Sequence, residues 1–290
     1  MKNKKIELLV LPAIENIDEI LSGLNQPVAV SKGKSASILF SFKDNHVSAT
    51  VNGKDIKEFS FVWLSSYWAS RNLIYAIRLY LDHYRVAHTF AEKSTSKLTD
   101  LLKFAFNDIC VPDTFYSDKT DISEVTLELE QACNYPMIMK DLKGSRGKYS
   151  ELINNREELF AKTANLPKNK KFFFQKFIPN EYDWGVLVAN GEVVSGEMSY
   201  RNAGEFRNHR LHGATEIFVD VDQIPDNVKK MAIKASKALG LSWSRSDILI
   251  DKNTNKAYLL EVNRAPGITS GSAEIEGAQS FLNTQLLSLA

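Results

Sequence analysis

Several things are scarce in this sequence, and each shortage excludes a class of function. Cysteine occurs only twice in 290 residues, at Cys110 and Cys133. Two distant cysteines make neither a disulfide framework nor a zinc-ligand pattern, so reduced thiols in a cytoplasmic protein are expected. Charge of one sign is not in excess, since 36 basic side chains stand against 35 acidic ones with a pI of about 7.7. That balance gives no basic field for nucleic acid and no acidic block of the kind that marks a disordered tail. No apolar run approaches the roughly 20 residues of a bilayer-spanning helix, so no membrane partner is expected. The opening "MKNKKIELLVLPAI" imitates a secretory signal, but Glu7 and Pro12 interrupt it and no small-residue cleavage site follows; it reads as the first strand of a soluble domain. Repeats and low-complexity tracts are missing too. So is a P-loop: Gly33-Lys34-Ser35 imitates its end, yet Val28 stands where its first glycine belongs.

What is present is enough apolar residue, 44%, to bury a sizeable core in two or three lobes. Alternation around "KDN" and Asn52-Gly53 predicts short hairpins, and "FVWLSS" a buried strand. Leu73, Ile74, Ile77, Leu81 and Tyr84 fall at helical spacing, as do Leu98, Leu101, Leu102, Ala105 and Ile109. The second of these helices has Ser94, Thr95 or Ser96 as its cap, and Val111-Pro112 ends it. "YPMIMK" and "KFFFQKFI" read as strands, and "WGVLVANGEVVSGEMS" as a hairpin turning at Asn190-Gly191. A helix with Val228, Met231, Ala232, Ala235 and Leu239 on one face follows, stopped by Gly240. The plan is α+β, with helices beside antiparallel sheets.

The most informative stretch is "DILIDKNTNKAYLLEVNRAPGI", Asp247 to Ile268. With a loop of 252–256, Asp251 pairs with Ala257, which puts Asp247 opposite Glu261; Asn263 then shares Glu261's face. Facing carboxylates repel, and a divalent cation removes the conflict. Ligation by Asp, Glu and Asn oxygens suits Mg²⁺ or Mn²⁺ rather than zinc, with substrate phosphates completing the shell. The plainer alternative is a solvated hairpin with its charges in water.

"DILI" followed by "YLLEVNRAPGI" resembles the closing signature of the ATP-grasp superfamily, in particular the RimK-type glutamate and amino-acid ligases. The resemblance implies an ATP-grasp fold of two α+β subdomains gripping ATP, preceded by an N-terminal α/β lobe: residues 1–94 as that lobe, 95–180 with the phosphate loop, and 181–290 with the metal site. It implies ATP and two Mg²⁺ ions held by Asp247, Glu261 and Asn263. Lys97 and Lys140 resemble the family's phosphate-binding lysines, and Gly144, Ser145, Arg146 and Gly147 its glycine-bearing loop over the phosphates. Gln175 and the backbone of Lys176, Phe177 and Ile178 resemble the adenine-contacting hinge, with Glu181 or Asp183 near the ribose. Arg207 in "NAGEFRNH" resembles the arginine that meets the reacting acyl phosphate.

The sequence departs from the family where an Asp-x-Arg is expected after the hinge: "DWG" puts Gly185 in place of the arginine. The family's run after Arg207 is also altered, to "HRLHGA". Arg201, Arg207 and Arg210 fall within thirteen residues, offset only by Glu205, which suggests Arg201 and Arg210 as ligands of an acidic substrate. The expected activity is carboxylate–amine ligation through an acyl phosphate, on an amino acid, peptide or protein tail, and a homo-oligomer is open. Two alternatives remain: an ATP-grasp phosphotransferase acting on a small acceptor, and a nucleotide-binding module without catalysis. Each residue also has a bland reading. Lys97 and Lys140 suit a protein surface, "GSRG" a turn, and the arginines with His209 and His212 a solvated loop.

Overall fold

The computed structural model describes residues 5–289 apart from 45, 93–94, 120, 145–149, 165, 168–169 and 209–211. The chain begins with β1 (Ile6–Leu11), α1 (Ile17–Ser22) and β2 (Val28–Lys32). Next come β3 (Leu39–Lys43), β4 (His46–Val51) and β5 (Lys54–Asp55), a small antiparallel sheet. Its second turn uses left-handed Asn52 and Gly53, φ 50° and 79°, as an Asn-Gly hairpin requires. β6 (Phe61–Leu64), α2 (Arg71–His83) and β7 (Ala87–His88) complete a parallel sheet in the order β2-β1-β6-β7. All four residues of β6 are buried, as expected of a parallel strand covered on both faces.

A further sheet starts after α3 (Lys97–Phe106). Ser96 caps this helix reciprocally with Thr99: each side-chain oxygen accepts the other's backbone N–H, at 3.3 and 2.8 Å. Apolar spacing predicts that the helix reaches Ile109. It stops at Phe106, because Asn107 caps it and Asp108 turns left-handed at φ 49°. β8 (Thr114–Phe115), α4 (Thr126–Cys133), β9 (Met137–Asp141), β10 (Ser150–Ile153), α5 (Arg156–Thr163) and β11 (Phe172–Lys176) follow. Their strands pair antiparallel in the order β10-β9-β11-β8.

The last part comprises β12 (Tyr182–Ala189), β13 (Glu192–Tyr200), β14 (Thr215–Val219), α6 (Asp226–Leu239), β15 (Trp243–Ile250), β16 (Ala257–Asn263) and α7 (Ala273–Leu287). Its five antiparallel strands run β14-β13-β12-β15-β16. Strand alternation divides their side chains between two faces. Trp184, Val186, Val188 and Ile248 pack with Val228, Ala232 and Ala235 of α6. On the other face Leu187, Ala189 and Trp243 meet α7, which is also covered by Leu8 and Val10 of β1 and Phe61 and Trp63 of β6. Trp63, Trp243 and Phe281 form a ring cluster with centroids 5.1 to 5.6 Å apart. The parallel sheet and the five-stranded sheet therefore share one core through α7. By the same alternation Asp183 and Gly185 lie on the face of Leu187, but they line a cavity instead of the core.

Candidate active site

Asp247 and Glu261 are cross-strand partners, and Asn263 donates from Nδ2 to Asp247 Oδ2 at 3.0 Å. The hairpin reaches this register differently from the sequence expectation. Ala257 pairs with Ile250, not Asp251, and the extra residue Leu260 bulges opposite the step from Asp247 to Ile248. Without the bulge a one-residue offset would turn Glu261 to the opposite face.

Two lysines converge on this pair. Lys97 is the first residue of α3, and its Nζ lies 3.1 Å from Glu261 Oε2. Lys140, on β9, donates to Gln175 Oε1 at 2.8 Å, and Gln175 Nε2 donates to Thr114 Oγ1 at 3.0 Å. Burial and the charge of Lys97 pull the Lys140 pKa down to about 8. Burial raises the pKa of Asp247, reinforced by the charge on Glu261. For Glu261 burial acts the same way but is outweighed by Lys97, Lys140 and Arg264, so its pKa falls. One carboxyl of the pair thus tends to keep a proton while the other stays charged.

Asp183 is the third carboxyl. Burial raises its pKa to about 6 against the opposing effects of Asn208, Lys140 and Arg201. Asn180 donates to Asp183 Oδ1 at 2.6 Å. Arg201 in turn donates to Asn180 Oδ1 at 2.9 Å and to its carbonyl at 2.6 Å.

A cavity of about 760 Å³ joins Lys97, Lys140, Asp183, Asp247, Glu261 and Asn263 to Arg207 and to the loop of Ser65, Ser66, Tyr67 and Trp68. Arg207 is clasped by Glu205, Nε to Oε1 at 2.9 Å and Nη2 to Oε2 at 2.8 Å, and this holds the Glu205 carboxyl down at about 2. At Gly185 a Cβ would come within 2.4 Å of Arg245 Nη2. The guanidinium of Arg245, from the neighbouring strand, thus occupies the space over the glycine where the family's arginine is expected. Arg245 is ion-paired with Glu197 and, at 3.2 Å, with Glu274.

Some expected ligands sit elsewhere. Arg201 does not line the cavity; its guanidinium is committed to Asn180. Glu181 is exposed and outside the cavity wall, whereas Asp183 lines the cavity with Lys140 and Asp247. Gln175 is 1% exposed and orients Lys140, so its amide is already engaged. The N–H groups of Lys176 and Phe177 are bonded to the carbonyls of Asp113 and Pro136 at 2.9 and 3.1 Å, and Ile178 is buried. Gly144 ends the β9 turn, its N–H on Asp141 O at 3.2 Å. Ser145, Arg146, Gly147 and Arg210 lie outside the described residues. Sequence reasoning missed Arg245, Glu197 and Arg264. Arg245 carried a signal, because it stands two residues before Asp247 and so shares its face.

Among the described residues no three His, Cys, Asp or Glu side chains form a metal cluster. The candidate set is two carboxylates and an amide. A facing pair of which one member resists ionisation fits Mg²⁺, which takes few protein ligands and fills its shell with phosphate oxygens.

The RimK-like ATP-grasp domain model matches residues 94–283. A D-alanine–D-alanine ligase of Prochlorococcus marinus (strain AS9601) is 24% identical over 189 residues, 59% of this chain and 53% of that protein. N-acetylaspartylglutamate synthase A of Mus musculus is 25% identical over 199 residues, 64% of this chain and 51% of that protein. The chain spans about half the length of the curated relatives it matches. Among solved structures, the ATP-grasp ligase PsnB complexed with a minimal precursor superposes with a TM-score of 0.71 at 17% identity, covering 99% of this chain and 100% of that one. The fold is that of ATP-grasp ligases, and this chain belongs to the RimK-like ATP-grasp family.

Proposed function

We propose that this protein is an ATP-dependent carboxylate–amine ligase. A substrate carboxylate attacks the γ-phosphorus of ATP, and ADP leaves. An amine then attacks the acyl carbon; the C–N bond forms, the C–O bond to phosphate breaks, and the amine proton is lost. The observation that carries this reading is one cavity lined by Lys97 and Lys140, by the Asp247, Glu261 and Asn263 set, and by Arg207 and Arg245. The first group suits the phosphates of a nucleotide, and Arg207 and Arg245 suit an acyl phosphate and the oxyanion formed from it. No nucleophilic Ser or Cys is needed.

Asp247, Glu261 and Asn263 would hold two Mg²⁺ ions, with Mn²⁺ as a substitute, whose chemistry when bound is to neutralise phosphate oxygens. Lys97 and Lys140 would flank the same phosphates; the loop expected over them is Gly144, Ser145, Arg146 and Gly147, the last three of which lie outside the described residues. Adenine lies against the carbonyl edge of Lys176 and Phe177 and against Ile178, since two of the hinge N–H groups are already bonded. We divide the chain into 1–94, 95–180 and 181–290.

Relatives named for joining amino acids, and a structural neighbour bound to a precursor, support an amino acid, peptide or protein tail as substrate. The free thiols of Cys110 and Cys133 suit the cytoplasm. No helix among the described residues is long and apolar enough to cross a membrane.

The test is ADP release from Mg-ATP over a panel of amino acids and short peptides, with hydroxylamine as a surrogate amine. Amine-dependent ADP release with a hydroxamate product is expected. ADP release that ignores the amine and yields a phosphorylated acceptor would make the protein a phosphotransferase.

A further inference from the structure

Among the described residues, the arginines on the wall of the cavity are already matched by carboxylates. Arg207 is held by Glu205, Arg264 by Asp100 and Glu92, and Arg245 by Glu197 and Glu274, while Arg71 has Glu92 at 3.8 Å. Glu15 and Glu216 line the same cavity and add negative charge.

Glu197 is the unusual member of this set. It is 5% exposed, lines the cavity, and stands in register with Gly185. One of its oxygens meets Arg245; Oε2 has no hydrogen-bond partner among the described residues. Neutralising Arg245 does not need this second oxygen, because Glu274 is there too, at 3.2 Å. A buried carboxylate oxygen without a donor is costly, and on a cavity wall the missing donor is supplied by a ligand. The terminal torsion of a glutamate is soft, so either oxygen can turn to the cavity.

Position adds a second argument. Glu197 and Asp247 both pair with Gly185, from opposite sides of β12. Two strand spacings separate them, about 10 Å. That span accommodates a metal-bound phosphoryl group, an acyl carbon and one attacking nitrogen.

We propose that Glu197 anchors the ammonium group of the amine acceptor and takes one proton from it before the freed nitrogen attacks, so that this subsite selects a cationic amino group rather than the acidic substrate suggested by the arginines of residues 201–210. The assignment rests on the ligase reading and names its acceptor.

The test uses the full chain with Mg-ADP and two probes: glycinamide, largely protonated near neutral pH, and hydroxylamine, largely neutral there. Ligand-observed NMR should show glycinamide binding to the wild type and at least tenfold weaker binding to Glu197→Gln. Glu197→Asp keeps a charge beside Arg245; it should hold the wild-type melting temperature yet weaken glycinamide by an intermediate factor. In turnover, the ratio of kcat/KM for glycinamide over hydroxylamine should fall at least tenfold in Glu197→Gln. Equal glycinamide binding in wild type and variant, no binding in the wild type, or a parallel fall for both amines would overturn the proposal and leave Glu197 as a counter-ion. Binding through Glu197 without any amine-dependent ADP release would support the subsite and refute the ligase reading.

Discussion

Arg264 grips Asp100 with both arms of its guanidinium, Nη1 to Oδ2 at 2.7 Å and Nη2 to Oδ1 at 2.9 Å. Asp100 lies three residues into α3 from Lys97, and Arg264 directly follows Asn263. The fork therefore ties the helix that carries Lys97 to the strand end that carries Glu261 and Asn263. Both residues are buried, and Glu92 from the N-terminal part also accepts from Arg264. Removing one partner leaves a buried charge unpaired, which costs about 3 to 5 kcal/mol. Arg264→Met should lower the denaturant-derived stability by that order and Asp100→Asn, which leaves Arg264 its bond to Glu92, by less; both should raise KM for ATP. Arg264→Lys should not rescue either quantity, because an ammonium cannot reproduce the two-pronged contact.

Glu261→Gln and Asn263→Ala should reduce Mg²⁺-dependent ATP turnover to background while the circular dichroism spectrum is retained. Each removes one of the few oxygen ligands available. Wild-type turnover in Glu261→Gln would remove the metal assignment.

The raised carboxyls predict how the metal-free protein responds to pH. Asp183 is lifted to about 6 and Asp247 is lifted as well, both chiefly by burial. A carboxyl whose pKa is higher in the folded state adds stability that is fully present below its unfolded pKa and lost as pH rises through the folded value. The metal-free melting temperature should therefore fall between pH 4 and pH 8, and Asp247→Asn should flatten that slope. Mg²⁺ affinity should rise over the same interval, since the ion competes with the retained proton. A thermal-shift series with and without Mg²⁺ checks both signs.

Arg245 and Gly185 form a reciprocal pair. A side chain at 185 would collide with the Arg245 guanidinium. Gly185→Ala should lower kcat with little change in KM for ATP, because Arg245 is displaced and the lysines are not. Gly185→Arg should be worse alone than when combined with Arg245→Gly, which returns the arginine to the β12 position. If the double substitution is no better than the single one, the two sites are not interchangeable.

The legible parts of the sequence were those with a local physical rule. Asn52-Gly53, Asn190-Gly191 and Gly240 adopt positive φ, as the turns and the helix stop require. α2 and α6 carry clear apolar stripes and extend over nearly the expected residues. α7 was not foreseen, since it is covered from two sides and its apolar positions spread around the helix instead of forming one stripe. The Asp247 to Glu261 pairing follows from a loop one residue out of register, and the bulge at Leu260 supplies the missing residue. Bulges leave little trace in a sequence. The partners of Arg201 and Arg264 lie in tertiary contacts, which no spacing rule reaches.

Because Trp63, Trp243 and Phe281 close over one another around α7, the stretch 94–283 is not a self-sufficient unit. A chain cut before residue 94 would bare Ile275, Phe281 and Leu282 to water on the side now covered by β1 and β6. Each such side chain loses roughly 1.5 to 3 kcal/mol when fully uncovered. The N-terminal part thus serves the rest of the chain as an obligatory subunit that happens to be covalently attached. Produced as two separate polypeptides, the halves should each aggregate alone and recover a soluble, nucleotide-binding complex only when expressed together.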